Sequence, residues 1–194
     1  REYSALEVSL EGSRRGRFNY FCSYVLSRTR GNTSGLFASD YGGGFANIGP
    51  QWDYPELMVN GHGLLPNDRP HVVKLAGSWR TDRGVTLGAT LSWMSGTPLS
   101  EFGATPVGSD YQIFLEPRGS RDGDQAHQLN LQLSKGFTIA KTRLVLIGTV
   151  YNAFSSENAT SVCSQISGCG SFEQGDYVSW QIPRRYELGF RFEF

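Results

Sequence analysis

The stretch RRYELGFRFEF, residues 184–194, alternates apolar and polar side chains from one end to the other. Its apolar positions are Tyr186, Leu188, Phe190, Phe192 and Phe194. Glutamate, glycine and arginine fill the positions between them. Successive side chains of a β-strand point to opposite faces of a sheet, so a period of two over this length predicts a strand with one apolar and one polar face.

Six other segments of the chain show the same alternation. The cleanest is residues 85–95, where Val85, Leu87 and Leu91 alternate with threonine, glycine and serine. Together the seven segments predict an all-β, antiparallel chain. The predicted strands are residues 3–11, 17–28, 71–80, 85–95, 127–137, 143–154 and 184–194.

Short and long connections alternate strictly between these strands. The short ones run through GSRRG, TDRG and TIAKT, which are the lengths of tight turns. The long ones, residues 29–70, 96–126 and 155–183, are rich in glycine, serine, asparagine and proline. A compact soluble domain should not need three structureless loops of this size, whereas membrane barrels join their strands by short periplasmic turns and long extracellular loops. We therefore expect a transmembrane antiparallel β-barrel.

The composition excludes two classes of protein. The formal net charge is zero, from 18 Lys and Arg against 18 Asp and Glu, so nothing favours a nucleic-acid partner. No run of about 18 apolar residues exists that could cross a bilayer as a helix. A barrel remains compatible with this composition, because a membrane strand needs only about 9 to 11 residues and half of them face lipid.

The apolar faces of the predicted strands are expected to face lipid and to be free of charge. A charge near the bilayer midplane costs about 2 to 4 kcal/mol, which explains why charged residues would stay on the other face. Tyr24, Trp79, Trp93 and Tyr186 fall near strand ends, where an aromatic girdle would meet the membrane interface. Any one of them could equally be a core aromatic.

Residues 143–154 are apolar on both faces, so the sequence does not decide their orientation. If this strand alternates in the same sense as the others, the face that is polar in those strands carries Val145, Ile147, Thr149 and Tyr151 here. We expect these side chains to pack against a plug or another element that fills the lumen.

Seven strands would leave two open edges. Bacterial single-chain barrels have an even number of strands, and each edge must be paired because hydrocarbon offers no hydrogen-bond partner. We therefore expect residues 1–194 to form the C-terminal part of a larger barrel. The sequence opens directly on strand-like residues, so either a signal peptide has been removed or residue 1 lies inside a longer protein.

The three cysteines do not have the pattern of a metal site. Cys163 and Cys169 enclose SQISG in a polar connection without a nearby histidine, which predicts a local disulfide formed in an oxidising compartment. Cys22 stands alone on the predicted lipid side of a strand, and we expect it to be a free thiol that behaves as a small hydrophobic residue.

Several motifs resemble the end of TonB-dependent outer-membrane receptors, most closely the Oar-like group. The resemblance covers nearly the whole chain and keeps the order of the motifs. It is most specific at DRPH (68–71), SGTPLS (95–100), PRGS (117–120) and HQLNLQLSK (127–135), and it includes the NAF of VYNAF and the final ELGFRFEF.

This resemblance implies a 22-stranded barrel in the bacterial outer membrane, of which the chain would supply about the last seven strands. It also implies outer-membrane lipid, the barrel-assembly machinery, the remainder of the barrel with its plug domain, and the TonB energy-coupling complex as partners. No plug and no energy-coupling segment occur in these 194 residues. The expected function is uptake or surface binding of a ligand, without a cofactor and without catalysis.

Two sets of residues are candidates for functional roles under this interpretation. The aromatic residues of the long loops are candidate ligand contacts, although they could instead pack against one another: Trp52, Tyr54, Phe102, Tyr111, Phe114, Phe172, Tyr177 and Trp180. The resemblance of the last strand to the terminal strand of outer-membrane barrels implies an assembly signal formed by Tyr186, Leu188, Gly189, Phe190, Phe192 and Phe194.

Three alternatives belong to other classes. An outer-membrane barrel enzyme could use Asp122, Asp124 and His127, but the two aspartates are more typical of a solvated turn or a weak cation site. A structural or adhesive surface protein would share the same barrel. A soluble lipocalin-like binder would have short loops throughout, which the loop lengths oppose.

Overall fold

The computed structural model describes residues 1–36, 52–105, 108–139, 142–163, 171 and 173–194, with the backbone alone for 108–110 and 139. Apart from a 3-10 helix, Pro55–Met58, its regular elements are β-strands. No helix among the described residues is long and apolar enough to span a membrane.

Fourteen strands make up the described part of the fold. In chain order they are β1 (Glu2–Arg14), β2 (Phe18–Gly31), β3 (Gly63–Leu64), β4 (His71–Arg80), β5 (Val85–Met94), β6 (Pro98–Leu99), β7 (Phe102–Thr105), β8 (Gly108–Phe114), β9 (Arg121–Asp122), β10 (Ala126–Ile139), β11 (Thr142–Tyr151), β12 (Ala159–Val162), β13 (Tyr177–Trp180) and β14 (Arg185–Glu193).

The seven long strands form one antiparallel meander in the order β1-β2-β4-β5-β10-β11-β14, and β3 pairs with the end of β2. Each of the seven segments predicted from the alternation overlaps one of these long strands. The ends differ by three residues in β1, which runs on to Arg14, and in β2 and β11. β2 runs on to Gly31 because Arg30 and Gly31 pair with β3, and β11 stops at Tyr151 because Asn152 adopts a left-handed φ of 50°.

Tight turns join the strands at one end of the sheet. Arg15 and Gly16 have φ values of 55° and 62°, and the Arg17 N–H donates to the Arg14 carbonyl over 3.1 Å. Positive φ at both central residues identifies a type I′ turn, whose twist matches that of the two strands it joins. Arg17 also forms an ion pair with Asp82 of the next turn, at 2.6 Å. Both side chains are exposed, so this pair contributes little to stability.

The register of the sheet brings the apolar positions of all seven long strands to one face. Leu10 lies opposite Cys22, Cys22 opposite Leu75, Leu75 opposite Leu91, and Leu91 opposite Leu129. Residues directly opposite each other in an antiparallel pair share a face. This surface is called the apolar face below, and the opposite surface the polar face.

The register also decides the orientation of β11. Gly148 lies opposite Leu133 of β10 and Leu188 of β14, both of which belong to the apolar face. The alternate residues of β11 therefore lie on the polar face, and they are Val145, Ile147, Thr149 and Tyr151. Val145 is 5% exposed. The described residues include no plug, so the prediction that these side chains pack against one is not tested.

The apolar face is not the hydrophobic core of the described structure. Leu188 and Phe190 on that face are 90% and 72% exposed. The apolar side chains buried most completely belong instead to the long connections: Leu57, Leu65, Phe102 and Phe114. The sheet thus leaves its widest apolar surface uncovered by the described residues.

Charged residues lie near the ends of the apolar face, contrary to the expectation that this face carries no charge. They are Glu2, Arg14, Arg28 and Arg30 in β1 and β2, and Lys135 in β10. Lys135 pairs with Val85 and with Leu146 near the tight-turn end of β10. Its ammonium group lies 5.2 Å from the centre of the Phe137 ring. A long lysine stem near the end of an apolar surface can lay its methylenes along that surface while its charge reaches water.

The described sheet is open. All six pairings between the long strands are antiparallel, so β1 and β14, at the two ends of the order, run in the same direction. They cannot close on each other as an antiparallel pair. An antiparallel closed barrel that includes this sheet needs an odd number of additional strands.

The long connections, predicted as structureless loops, contain ordered strand pairs. β6 pairs with β9, β7 with β8, and β12 with β13. Each strand of these pairs is only two to seven residues long. These pairs satisfy backbone N–H and C=O groups that an irregular loop would leave to water. The connections therefore contain short two-stranded sheets of their own.

Two glycines allow the connections to approach each other closely. A Cβ atom on Gly63 would lie 1.8 Å from the Arg118 carbonyl oxygen, and one on Gly96 would lie 1.8 Å from the Gly123 carbonyl oxygen. The Leu64 N–H donates to the same Arg118 carbonyl over 3.1 Å. No side chain fits at either position without moving the backbone.

We predict that Gly63→Ala destabilises the fold by about 3 kcal/mol, because the new methyl group would overlap a backbone oxygen that cannot rotate away. The matched control is Gly189→Ala in β14, where an added Cβ meets nothing within 4 Å. That change should stay within about 0.5 kcal/mol. Denaturant unfolding of both variants measures the difference, and equal effects would show that the close approach is absent.

Candidate functional site at the rim of the sheet

The three long connections begin and end at one end of the sheet, which is called the rim. The DRPH motif, residues 68–71, fixes the start of β4 there. The carboxylate of Asp68 accepts the Thr29 N–H, and the Pro70 carbonyl accepts the Ser27 N–H over 3.0 Å. The motif thus joins the first connection to the end of β2.

Arg69 and His71 of the same motif join the start of β4 to Ser95, which follows β5. Arg69 Nη1 donates to the Ser95 carbonyl over 2.6 Å, and the Ser95 hydroxyl accepts the His71 N–H over 3.0 Å. His71 also shares a 2.8 Å hydrogen bond between its Nδ1 and the Tyr24 hydroxyl. Arg69 is partly buried, and this desolvation lowers the pKa of its guanidinium.

Asn152 fixes the third connection. Its side-chain amide donates to the carbonyls of Ser156, at 2.9 Å, and Ile182, at 3.2 Å, while its Oδ1 accepts the Ser156 N–H at 3.0 Å. Its own N–H donates to Asn130 Oδ1 over 3.0 Å. The residue is 1% exposed. One asparagine therefore holds the end of β11, the start of the third connection and the approach to β14.

The three connections are also joined to one another. Arg118 in the second connection donates to the Ser34 hydroxyl in the first, at 2.8 Å. Gln174 in the third donates to Glu101 in the second, at 2.5 Å. These contacts link residues that lie 84 and 73 positions apart in the chain. The described parts of the connections consequently form one linked surface.

A small charged network lies on this surface. Arg121 forms ion pairs with Glu101 and with Glu116, the latter at 3.1 Å. The hydrogen bond from Arg121 lowers the pKa of the Glu116 carboxyl. Tyr177 donates to Asp124 over 2.5 Å, and this hydrogen bond raises the pKa of the Tyr177 hydroxyl. The hydrogen bond thus favours the protonated, donating form of the phenol.

Two of the predicted ligand contacts are buried. Phe102 and Phe114 are 1% and 2% exposed, with ring centres 4.8 Å apart. They pack on each other across β7 and β8, so neither ring offers a surface to a ligand. Sequence reasoning placed them in a loop and could not see that the loop folds into a hairpin.

Other predicted ligand contacts do reach the surface. Trp52 and Trp180 are 51% and 53% exposed. Tyr54 packs edge-on against the half-buried Tyr111 at 5.3 Å, and Tyr177 packs edge-on against Trp180 at 6.4 Å. The first pair joins the first and second connections, and the second pair lies within the third. Phe172 lies outside the described residues.

The residues predicted to form an assembly signal lie along β14. Tyr186, Leu188, Phe190 and Phe192 have the alternate positions of the apolar face and are all more than half exposed, as is Phe194. Phe190 and Phe192 are in edge contact at 5.6 Å. A Cβ atom added at Gly189 would meet nothing within 4 Å among the described residues, although the Gly189 backbone pairs with Ile147 of β11.

The cysteines fall into two groups. Cys163 takes part in a disulfide bond and is 2% exposed. Cys22 is a free thiol, half-buried on the apolar face between Leu10 and Leu75. Cys169 lies outside the described residues, so its pairing with Cys163 stays a prediction.

The residues of the catalytic alternative have other partners. Asp122 lies in β9 opposite Pro98, and Asp124 accepts the Tyr177 hydroxyl. His127 lies opposite Trp93 on the apolar face, with its ring 6.3 Å from the Phe154 ring. Among the described residues, no group of three or more His, Cys, Asp or Glu side chains is arranged to hold a metal ion.

The polar face carries a depression of about 450 Å³ across β2, β4, β5, β10 and β11. Its polar groups are amides and hydroxyls that pair across strands: Asn19 with Ser78 at 3.3 Å, and Asn130 with Thr90 at 3.3 Å. Such a surface can hydrogen-bond a neutral polar partner. It carries no charged side chain among its lining residues.

Comparison with known proteins gives one distant relative. Over 148 residues, 72% of the chain, it is 28% identical to the TonB-dependent transporter Oar of Myxococcus xanthus. The match covers 14% of that protein's length. No protein-family model and no solved structure matches the chain. The chain is thus a distant homologue of a TonB-dependent transporter.

Sequence reasoning missed the residues that fix the rim. Asn152 belongs to the NAF motif and Asp68 to DRPH, but neither was assigned a structural role. Asn152 lies inside the predicted strand 143–154, but asparagine adopts a left-handed φ more readily than most residues, and this could have indicated that the strand ends at Tyr151. Nothing in the sequence indicates that Asp68 accepts the backbone N–H of a residue 39 positions away.

We predict that Asn152→Asp destabilises the protein by about 2 to 4 kcal/mol, because it replaces an amide donor by an oxygen that faces two carbonyls. Asn60→Asp is the matched control. Asn60 also has a positive φ, of 58°, but it is exposed and its side-chain hydrogen bonds are 3.3 and 3.5 Å long. Denaturant unfolding should show less than about 1 kcal/mol for the control. Equal losses would contradict the central role of Asn152.

Proposed function

We propose that residues 1–194 form the C-terminal part of the barrel of a TonB-dependent outer-membrane receptor. The observation that carries this proposal is the uncovered apolar face, which the register extends across seven strands. A surface of this kind, with short turns at one end and long connections at the other, is what lipid exposure requires of a membrane barrel. The distant relationship to a TonB-dependent transporter supports the same conclusion.

The dimensions of the apolar face agree with a bilayer. On β10 it extends from His127 to Phe137, ten residue steps that span about 33 Å. A strand tilt of about 40° reduces this to a band about 25 Å tall, the height of the apolar band on outer-membrane barrels. The rings of Trp93, Tyr24 and Tyr186 would mark the interface at the rim, and that of Trp79 the interface at the tight turns.

In this proposal the rim faces the cell surface and the tight turns face the periplasm. The remaining strands of a larger barrel, 22 in the receptors that the sequence resembles, would pair with the open edges of β1 and β14. A plug would fill the lumen against the polar face, and the TonB complex would act through parts of the protein outside this chain. The barrel-assembly machinery would insert the barrel into the membrane.

The proposed role is uptake or binding of a ligand through the linked surface at the rim. Exposed aromatic side chains are available there, of which Trp52, Tyr54, Tyr177 and Trp180 are the candidates. The proposal includes no catalytic activity. Two contacts support a role without catalysis. Asp124 accepts a hydrogen bond from the Tyr177 hydroxyl, and His127 lies on the face assigned to lipid.

The assignment of the two faces is tested by a pair of substitutions in β5. Leu91→Arg should lower the stability of the inserted barrel by about 2 to 4 kcal/mol, because it puts a charge into lipid near the midplane. Thr90→Arg, one residue away on the polar face, should be nearly neutral. Both are measured in the full-length protein by folding into lipid bilayers. Equal effects at the two positions would refute the outer-membrane proposal.

A second test concerns the proposed assembly signal. Phe192→Ser should lower the amount of inserted, heat-modifiable barrel, because Phe192 lies on the apolar face near the tight-turn end of β14. Arg191→Ser, on the polar face of the same strand, is the control and should insert at the wild-type level. Insertion is measured by the shift of the folded protein in unheated gels. If Phe192→Ser also inserts at the wild-type level, β14 carries no such signal.

A further inference from the structure

Two arginines extend the apolar face of β2 beyond its last apolar residue. Arg28 and Arg30 follow Leu26 at alternate positions, so all three side chains lie on the same face. Arg28 lies opposite Ser4, and Arg30 lies opposite Glu2 on β1 and Leu64 on β3. The strand therefore passes from apolar to cationic as it reaches the rim.

Neither arginine is neutralised within the described residues. Both side chains are exposed, and no ion pair between described residues involves either of them. Glu2 lies opposite Arg30 on β1, and the fully buried carboxylate of Asp68 accepts the Thr29 N–H. Arg28 in particular is free to bind an anion from outside the chain.

An apolar groove begins directly below these arginines. It has a volume of about 570 Å³, and its walls include the side chains of Leu6, Leu26, Leu64 and Pro70. Arg28 and Ser4, an opposed pair, lie at its rim end. The groove lies over residues 4–6 of β1 and 26–28 of β2, and Ser27 and Asp68 also line it. The apolar face continues from it at Val8 and Tyr24, so a hydrocarbon chain can extend along that face.

We infer that this groove binds a phosphorylated, acylated glycolipid of the outer leaflet. The inference rests on the proposed function, which puts the rim at the cell surface. An acyl chain would lie in the groove, while Arg28 and Arg30, about 7 Å apart along the strand, would bind phosphate at headgroup level. Guanidinium groups bind phosphate through two parallel hydrogen bonds, which suits a lipid whose phosphates are fixed on a sugar ring.

The test uses the full-length protein purified from its outer membrane in detergent. It is titrated with diphosphorylated lipid A, with the same glycolipid after removal of its phosphates, with phosphatidylglycerol and with inorganic phosphate. Binding is followed by native mass spectrometry. The variants are the double substitution of Arg28→Ala with Arg30→Ala, the corresponding double lysine variant, and Arg14→Ala, which removes an arginine from the same face at the tight-turn end.

The wild-type protein should bind diphosphorylated lipid A at least about tenfold more tightly than the dephosphorylated form, as expected for charge-assisted hydrogen bonds. The double alanine variant should lose this preference, the double lysine variant should keep part of it, and Arg14→Ala should keep all of it. Heat-modifiability of each variant shows that the barrel is folded.

Three results would overturn the inference. They are an unchanged preference in the double alanine variant, equally tight binding of phosphatidylglycerol, and displacement of the glycolipid by inorganic phosphate at millimolar concentration, which would indicate a simple anion site. None of these results would affect the proposed function, which fails instead if Leu91→Arg and Thr90→Arg are equivalent. The two failures are therefore distinguishable.

Discussion

The cross-strand register of the seven long strands is the constraint on which the rest of the structure depends. Because side chains alternate between faces, a slip of one residue in any pairing would move that strand's leucines to the polar face. The row from Leu10 to Leu129 shows that no such slip occurs between β1 and β10. The type I′ turn at Arg15 and Gly16 contributes to this, since its length and twist allow one register for β1 and β2.

That register has a consequence for where the hydrophobic core lies. A sheet with one apolar face usually buries that face against a second layer, but here the best-buried apolar side chains are in the connections, such as Leu57 and Phe102. The sheet needs a different apolar environment, and in the proposed function a bilayer supplies it. The connections, in contrast, contain paired strands, buried aromatic rings and ion pairs of their own.

The motifs behind the family resemblance have a physical explanation in the rim. DRPH and the serine of SGTPLS exchange hydrogen bonds between the starts and ends of neighbouring strands, and the asparagine of NAF does the same for β11 and the approach to β14. The long strands could be predicted from the sequence because each repeats its alternation over nine or more residues. The hairpins of the connections could not, because strands of two to seven residues carry too few alternations and depend on contacts with distant segments. The burial of Phe102 and Phe114 was missed for the same reason. The position of Lys135, in contrast, follows from the alternation of β10 itself.

The central claim, that the apolar face meets lipid and the polar face meets the lumen, is tested most directly on β10. Residues 128–133 are replaced one at a time by cysteine in a background without Cys22, and each carries a nitroxide label in the full-length protein in bilayers. Collision with oxygen, which dissolves in lipid, and with a water-soluble nickel chelate is measured at each site. Leu129, Leu131 and Leu133 should be accessible to oxygen and protected from nickel, while Gln128, Asn130 and Gln132 should be protected from oxygen. Accessibility that does not alternate along the strand would contradict the account.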